Sequence, residues 1–294
     1  MRVFVTGATG FIGTAIVREL IEAGHKVHGL ARSDAGAKSL AAVGAAVHRG
    51  SLEDKDSLKR GAAESDGVIH TAFIHDFTDF AASCAKDKTA IETLGGALAG
   101  SNRPLIVSSG VLALAQGRPG TEEDAPNDAF PRKSEETALS FASQGVRAMV
   151  IRLSPSVHGD GDHGFVARLI AVARERGFAS YVGDGQNRWP AVHRLDSARL
   201  YRLALEKGTA GGRYHGVADE GVPIRDIAEV IGRRLNVPAV SKSPEEVAAI
   251  LGLIGQILAM DTPSSSKLTQ ERLGWRPNQV GLIADLERGH YFDA

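Results

Sequence analysis

The sequence predicts an α/β fold, a doubly wound parallel sheet with a smaller C-terminal lobe, on three observations. Short, nearly continuous apolar runs alternate with amphipathic stretches through the first half, a glycine-rich turn joins the first run to the first amphipathic stretch, and the texture changes after Pro155. Continuous apolar strands are expected where helices cover both faces of a sheet.

The apolar, β-branched run Arg2-Val3-Phe4-Val5-Thr6 forms the first strand, 2–6. Gly7-Ala8-Thr9-Gly10-Phe11-Ile12-Gly13 then leads into a helix over 11–23 with an apolar face of Ile12, Ile16, Val17, Leu20 and Ile21. The first glycine allows a tight turn, the second lets backbone N–H groups approach a pyrophosphate, and the third lets helix and strand pack closely. The phosphates sit at the positive end of the helix. The predicted sheet is therefore Rossmann-type, and Gly7, Thr9, Gly10, Phe11, Ile12 and Gly13 are expected to hold a dinucleotide. A turn with no ligand is the alternative, and the strand before and helix after it weigh against that.

Gly24 stops the helix, and the second strand covers 26–31. Strands follow at 45–48, 67–71, 104–108 and 148–153, with helices near 35–42, 54–62, 77–99 and 132–143. Beyond Pro155 the strands shorten and Gly, Asp, His and Arg become frequent. Residues 1–155 are thus the nucleotide-binding part, and 156–294 are mostly a substrate lobe, interleaved with it and containing two late helices. One of these starts at Ser243-Pro244-Glu245-Glu246, where Ser243 caps, Pro244 suits the first helical position and Glu246 completes a capping box. Its apolar body, Val247 to Met260, suits core or a subunit contact.

With 34 Lys plus Arg against 35 Asp plus Glu, no field draws nucleic acid or an anionic membrane. A small-molecule substrate is the expected partner. Cys84 is the only cysteine, which excludes an internal disulfide and a cysteine-based metal site and fits a reducing compartment. The first strand begins at residue 2, and the longest apolar stretch, Ala248 to Met260, is too short to span a bilayer. A cytoplasmic protein is expected.

Several segments, in order, resemble the short-chain dehydrogenase/reductase superfamily in its extended, NAD-dependent epimerase/dehydratase branch. Thr6 to Gly13 is similar to the cofactor motif, and Arg49-Gly-Ser-Leu-Glu-Asp54 to the GDLxD segment beside adenine, with Ser51 where Asp is usual. Val68 to Phe73 resembles the fourth-strand segment over the cofactor, and Leu105 to Gly110 the fifth-strand end carrying the active-site serine. Ile151 to Gly159 is similar to R-P-x-x-V-Y-G beside the nicotinamide, with His158 replacing the aromatic. Gly183-Asp184-Gly185, Val192-His193 with Asp196, and Leu273 to Pro277 complete the pattern. The resemblance implies cofactor contacts from Ser51, Leu52, Thr71, Ala72, Phe73, Ser108, Pro155 and Val157, and a substrate side formed by His75, Arg188, Trp189 and His193. It also implies a homodimer through the helices near 77–99 and 132–143.

Charge at the end of the second strand selects the dinucleotide, because a carboxylate holds a ribose 2′-OH and a cation answers a 2′-phosphate. The strand ends Leu30-Ala31-Arg32-Ser33, with Asp34 later than the carboxylate position. Arg32 and Ser33 favour NADP over NAD. The alternative is that Arg32 stacks on adenine without discriminating.

A typical superfamily member carries a serine, then a tyrosine and a lysine four residues apart before the sixth strand. Here the only tyrosines are Tyr181, Tyr201, Tyr214 and Tyr291, all beyond that strand. Hydride delivery to a carbonyl leaves an alkoxide that must be neutralised. The catalytic candidates are Ser109, Lys133 or its neighbour Arg132, and His158. His75, His163 and Asp162 lack the spacing of a ligand set, so no metal is expected. The sequence thus reads as an NADP-dependent oxidoreductase exchanging hydride with a small carbonyl or alcohol. Two alternatives stand beside it: a dinucleotide-sensing regulator without turnover, favoured by the absent tyrosine, and a sugar-nucleotide epimerase or dehydratase whose phosphates Arg188 and Arg194 hold.

Overall fold

A computed structural model describes residues 1–76, 78–114, 118–127 and 130–293. The elements up to the sixth strand are β1 (Arg2–Thr6), α1 (Phe11–Glu22), β2 (Lys26–Ala31), α2 (Asp34–Ala42), β3 (Ala46–Arg49), α3 (Lys55–Ala63), β4 (Gly67–His70), α4 (Phe80–Leu98), β5 (Pro104–Gly110), α5 (Ser134–Ser140) and β6 (Arg147–Leu153). There follow β7 (Ser156–His158), α6 (Phe165–Arg176), β8 (Ala179–Val182), β9 (Arg188–His193), α7 (Arg194–Lys207), β10 (Arg213–Gly216), β11 (Asp219–Pro223) and α8 (Ile224–Leu235). The chain ends with β12 (Ala239–Lys242), α9 (Pro244–Leu251), α10 (Leu253–Leu258), α11 (Lys267–Leu273) and α12 (Leu282–Glu287). Position 77, the expected start of the fourth helix, lies outside the described residues.

Seven strands form one sheet in the order β10-β6-β5-β4-β1-β2-β3, and every ladder in it is parallel. The six expected strands are all present. Their central members are apolar because both faces are covered: all of Gly67–His70 is buried, as are Pro104 to Ser108. Two smaller sheets, β11-β9-β7 and β12-β8, lie apart from the seven-stranded one.

Two expectations are corrected. The sheet does not end with the strand before Pro155, since β10 pairs with β6 along Arg213 to Gly216 and completes it. Four residues that include an arginine and a histidine carry too weak a pattern to stand out as a strand. Beyond Pro155 the described residues form α6 to α12, seven helices where two were expected. The capping box at Ser243 is present, but Gly252, at φ +59, divides the apolar body Val247 to Met260 into α9 and α10.

Two features of the packing position the site. Helix α7 lies along α1 in the same direction, with Arg202 paired to Glu19 at 2.7 Å towards their C-terminal ends and Arg194 over Phe11 at their starts. At the other edge, Arg152 of β6 is fully buried and donates through Nε and Nη2 to Glu135 at 2.8 and 2.6 Å. Arg213 of β10 donates to the same carboxylate at 2.7 Å, and Arg152 also reaches the carbonyls of Thr121 and Asp124. One carboxylate therefore ties α5 to two strands.

Candidate active site

The glycine turn is shaped by contact. A Cβ on Gly7, which has φ +70, would lie 2.6 Å from Thr71 Oγ1 and 2.7 Å from the Ala72 amide nitrogen. One on Gly13 would lie 1.9 Å from the Gly7 carbonyl oxygen, whereas one on Gly10 would meet only that carbonyl, at 3.2 Å. Gly7 and Gly13 thus seal the turn against the end of β4 and against itself, while Gly10, exposed like Thr9, leaves an open face. No side chain caps α1, so its first amides are available to an anion at the positive helix end. Phe11 and Ile12 stand half-buried at the start of that helix. This cradle fits the pyrophosphate of a dinucleotide.

At the end of β2, Arg32 and Ser33 are exposed, and the Ser33 hydroxyl accepts from the Gly36 amide at 3.1 Å to cap α2. Asp34 is ion-paired with Arg49, which sits beside Ala31 in the β2–β3 ladder. The nearest carboxylate is therefore neutralised, and Arg32 has no ion-pair partner among the described residues. Ser51 and Leu52 are half-buried on the turn after β3.

The opposite end of the cleft is built where β4 and β5 stop. Thr71, Ala72 and Phe73 continue from β4 half-buried, and the Arg132 guanidinium lies 4.2 Å over the Phe73 ring. Arg132 donates through Nη2 to the Ser108 carbonyl at 2.9 Å and through Nε to the Ser134 hydroxyl at 2.7 Å. Asp87 of α4 lies 3.7 Å from it, accepts from the Ser134 hydroxyl and stands 3.2 Å from His70 Nε2. His70 Nδ1 in turn meets Thr6 Oγ1 at 2.7 Å, so a buried polar chain runs from the residue before the glycine turn to Arg132. Burial alone would raise the Asp87 carboxyl, but the His70 hydrogen bond and the Arg132 charge outweigh it and hold the group below the usual range. His75 packs its ring edge-on to Phe73, 5.2 Å between centroids, and desolvation, then the Arg132 charge, push its pKa down.

Ser109 is half-buried at the end of β5, next to the carbonyl that holds Arg132. Lys133 places its ammonium 3.6 Å from Glu136 at the start of α5, and its neighbour Arg132 reaches the Ser108 carbonyl of β5. Arg132 was expected only as a neighbour of Lys133, and Asp87 not at all. A signal for Asp87 existed: it shares a helical face with Ser83, Ala90, Ile91 and Leu94, all buried.

Other expected residues lie elsewhere. His158 is fully buried, with Nδ1 2.8 Å from Asp285 and its ring edge-on to His193 at 5.3 Å, so its side chain does not reach the cleft. Alternation along β7 explains this, because Ser156 and His158 share the covered face while Val157 takes the other; Val157 and Pro155 are half-buried. Trp189 is a core residue, fully buried and donating Nε1 to the Ile257 carbonyl at 3.3 Å. The Ser108 hydroxyl points inward, donating to the His70 carbonyl and lying 2.6 Å from the Tyr201 hydroxyl. Tyr201 does not stand in for the missing tyrosine, being fully enclosed with its phenol pKa pushed up by burial. His193 accepts from the Leu195 amide and caps α7, and Arg188 makes a two-point pair with Asp261. Among the described residues no group of three or more metal-binding side chains occurs, and no helix is long and apolar enough to cross a membrane.

A parallel sheet whose first turn presents a glycine cradle to a helix start defines a dinucleotide-binding α/β protein. The chain matches the NAD dependent epimerase/dehydratase family over residues 3–217 and belongs to that family of NAD(P)-dependent enzymes. It is 52% identical over 295 residues to an uncharacterized protein of Schizosaccharomyces pombe, covering 99% of this chain and 100% of that one. It is 30% identical over 242 residues to a sterol-4-alpha-carboxylate 3-dehydrogenase (decarboxylating) of Dictyostelium discoideum, covering 76% and 73%. Its fold is similar to that of the UDP-glucose 4-epimerase of Thermotoga maritima, solved with UDP-glucose, at a TM-score of 0.80 and 22% identity over 99% and 98% of the two chains.

Proposed function

We propose that this protein is an NADP-dependent oxidoreductase acting on a small carbonyl or alcohol, with Arg132 doing the electrostatic part of the absent tyrosine's work. The observation that carries the reading is the Arg132 guanidinium, held at the C-terminal end of β5, the strand end that carries Ser109, by the Phe73 face, the Ser108 carbonyl, the Ser134 hydroxyl and Asp87. The bound cofactor supplies or takes up the hydride. In the reducing direction Arg132 and Ser109 stabilise the oxygen that becomes an alkoxide, as donors held in place before the reaction. Arginine does not release its proton, so the alkoxide takes its proton from water at the half-open end of the cleft. A sugar nucleotide is less well served, since Arg188 is committed to Asp261.

Consumption of NADPH across a panel of ketones and aldehydes tests the reading. Turnover with at least one carbonyl is expected, while tight cofactor binding with no turnover of any would replace it by the dinucleotide sensor.

The choice of NADP rests on exposed Arg32 and on Arg49 neutralising Asp34. Arg32→Ala should weaken NADPH binding by about 1.5–3 kcal/mol, the range for a hydrogen bond to a charged group, and leave NADH unchanged. Equal losses in calorimetric titrations with both would overturn the phosphate assignment.

A further inference from the structure

Because α1 and α7 run in the same direction, two positive helix ends meet at the glycine turn. Phe11 and Arg194 are the first residues of their helices, and the Arg194 guanidinium lies 5.1 Å over the Phe11 ring. A cation is unfavourable at one such end, and more so where two converge, unless an anion answers it. Among the described residues no carboxylate pairs with Arg194, and its Nε is buried with no hydrogen-bond partner. Buried guanidinium N–H groups are seldom left so.

The side chain is also held in place. A Cβ on Gly159 would come 3.3 Å from Arg194 Cγ, and one on Gly161 3.9 Å from its Nη1, so a turn at φ +132 and +81 lies close to both its stem and one terminal nitrogen. His163, from the same turn, packs edge-on to Phe11 at 5.8 Å. We infer that Arg194 is a second phosphate clamp, gripping the dinucleotide pyrophosphate from the α7 side while the α1 amides hold it from the other. This deepens the proposed function and rests on its dinucleotide reading. Arg194 and Arg32 then divide the labour: Arg32 answers the 2′-phosphate, and Arg194 the pyrophosphate.

Two fragments separate these roles in calorimetric titrations of the full chain. ADP-ribose carries the pyrophosphate without a 2′-phosphate, and adenosine 2′-monophosphate carries the 2′-phosphate alone. Arg194→Ala is expected to weaken ADP-ribose by about 10- to 100-fold, the loss of a charge-assisted contact, and to leave adenosine 2′-monophosphate within about twofold. Arg32→Ala is expected to show the reverse, and Arg194→Lys to recover part of the ADP-ribose affinity. Unchanged ADP-ribose affinity in Arg194→Ala overturns the clamp. So does loss of both fragments together, which would make Arg194 a structural residue. Failure of the native chain to bind NADPH or either fragment would instead overturn the dinucleotide reading itself.

Discussion

Arg132→Ala is expected to lower kcat by about 10²–10³, the loss on removing one donor to a developing oxyanion, with NADPH affinity little changed. The guanidinium is fixed by a ring face 4.2 Å away and by two acceptors, the Ser108 carbonyl and the Ser134 hydroxyl. Arg132→Lys should rescue little, because an ammonium cannot keep the stack and both directed bonds at once. Asp87 supplies the counter-charge, so the alanine variant also leaves a buried carboxylate with less compensation. Two readouts separate chemistry from folding. Added guanidinium ion should restore part of the turnover of Arg132→Ala, and the variant's cofactor affinity should match that of the native chain. Native kcat in Arg132→Ala would remove this residue from the mechanism.

The largest effect on stability is expected at Glu135. Its removal leaves Arg152, fully buried, without the carboxylate that receives two of its N–H groups, and strands Arg213 as well. Breaking one side of a buried pair destabilises by about 3–5 kcal/mol, mostly through the charge left behind. Glu135→Ala should lose that much in denaturant unfolding, and a change under about 1 kcal/mol would show that water or other acceptors already satisfy Arg152. The same pair gives a pH signature. Burial would raise the Glu135 carboxyl, but the hydrogen bond and charge of Arg152, then those of Arg213, outweigh it and hold it below the usual range. A depressed carboxyl pKa contributes stability at neutral pH that disappears as pH falls from the ordinary glutamate range through the folded value. The native chain should therefore lose stability in that acidic window, and Glu135→Ala should lose less of it there.

How much of this was legible in the sequence depended on how local the determining physics was. The strands β1 to β6 announce themselves because both faces of a covered parallel sheet demand apolar side chains, as in Gly67–His70. The cofactor turn is equally local, its glycines being required by backbone contacts within a few residues and with Thr71. At the chemical end that locality fails. Lys133 and Arg132 are adjacent cations in an irregular segment before α5, and no periodicity there tells which one turns towards β5. His158 and Trp189 were assigned to the cleft by resemblance, whereas strand alternation and the lobe's own core put both out of reach.

By itself the sequence determined the strands β1 to β6, the first helices and the glycine turn, since these follow from side-chain period and backbone conformation over short stretches. Only the tertiary structure decided what the charged groups meet: Arg152 with Glu135, Arg132 with Asp87, and Arg194 with the face of Phe11. Those partners are far apart in the chain. Their encounter depends on how β6, α4 and α7 pack, and on which charges that packing takes out of water.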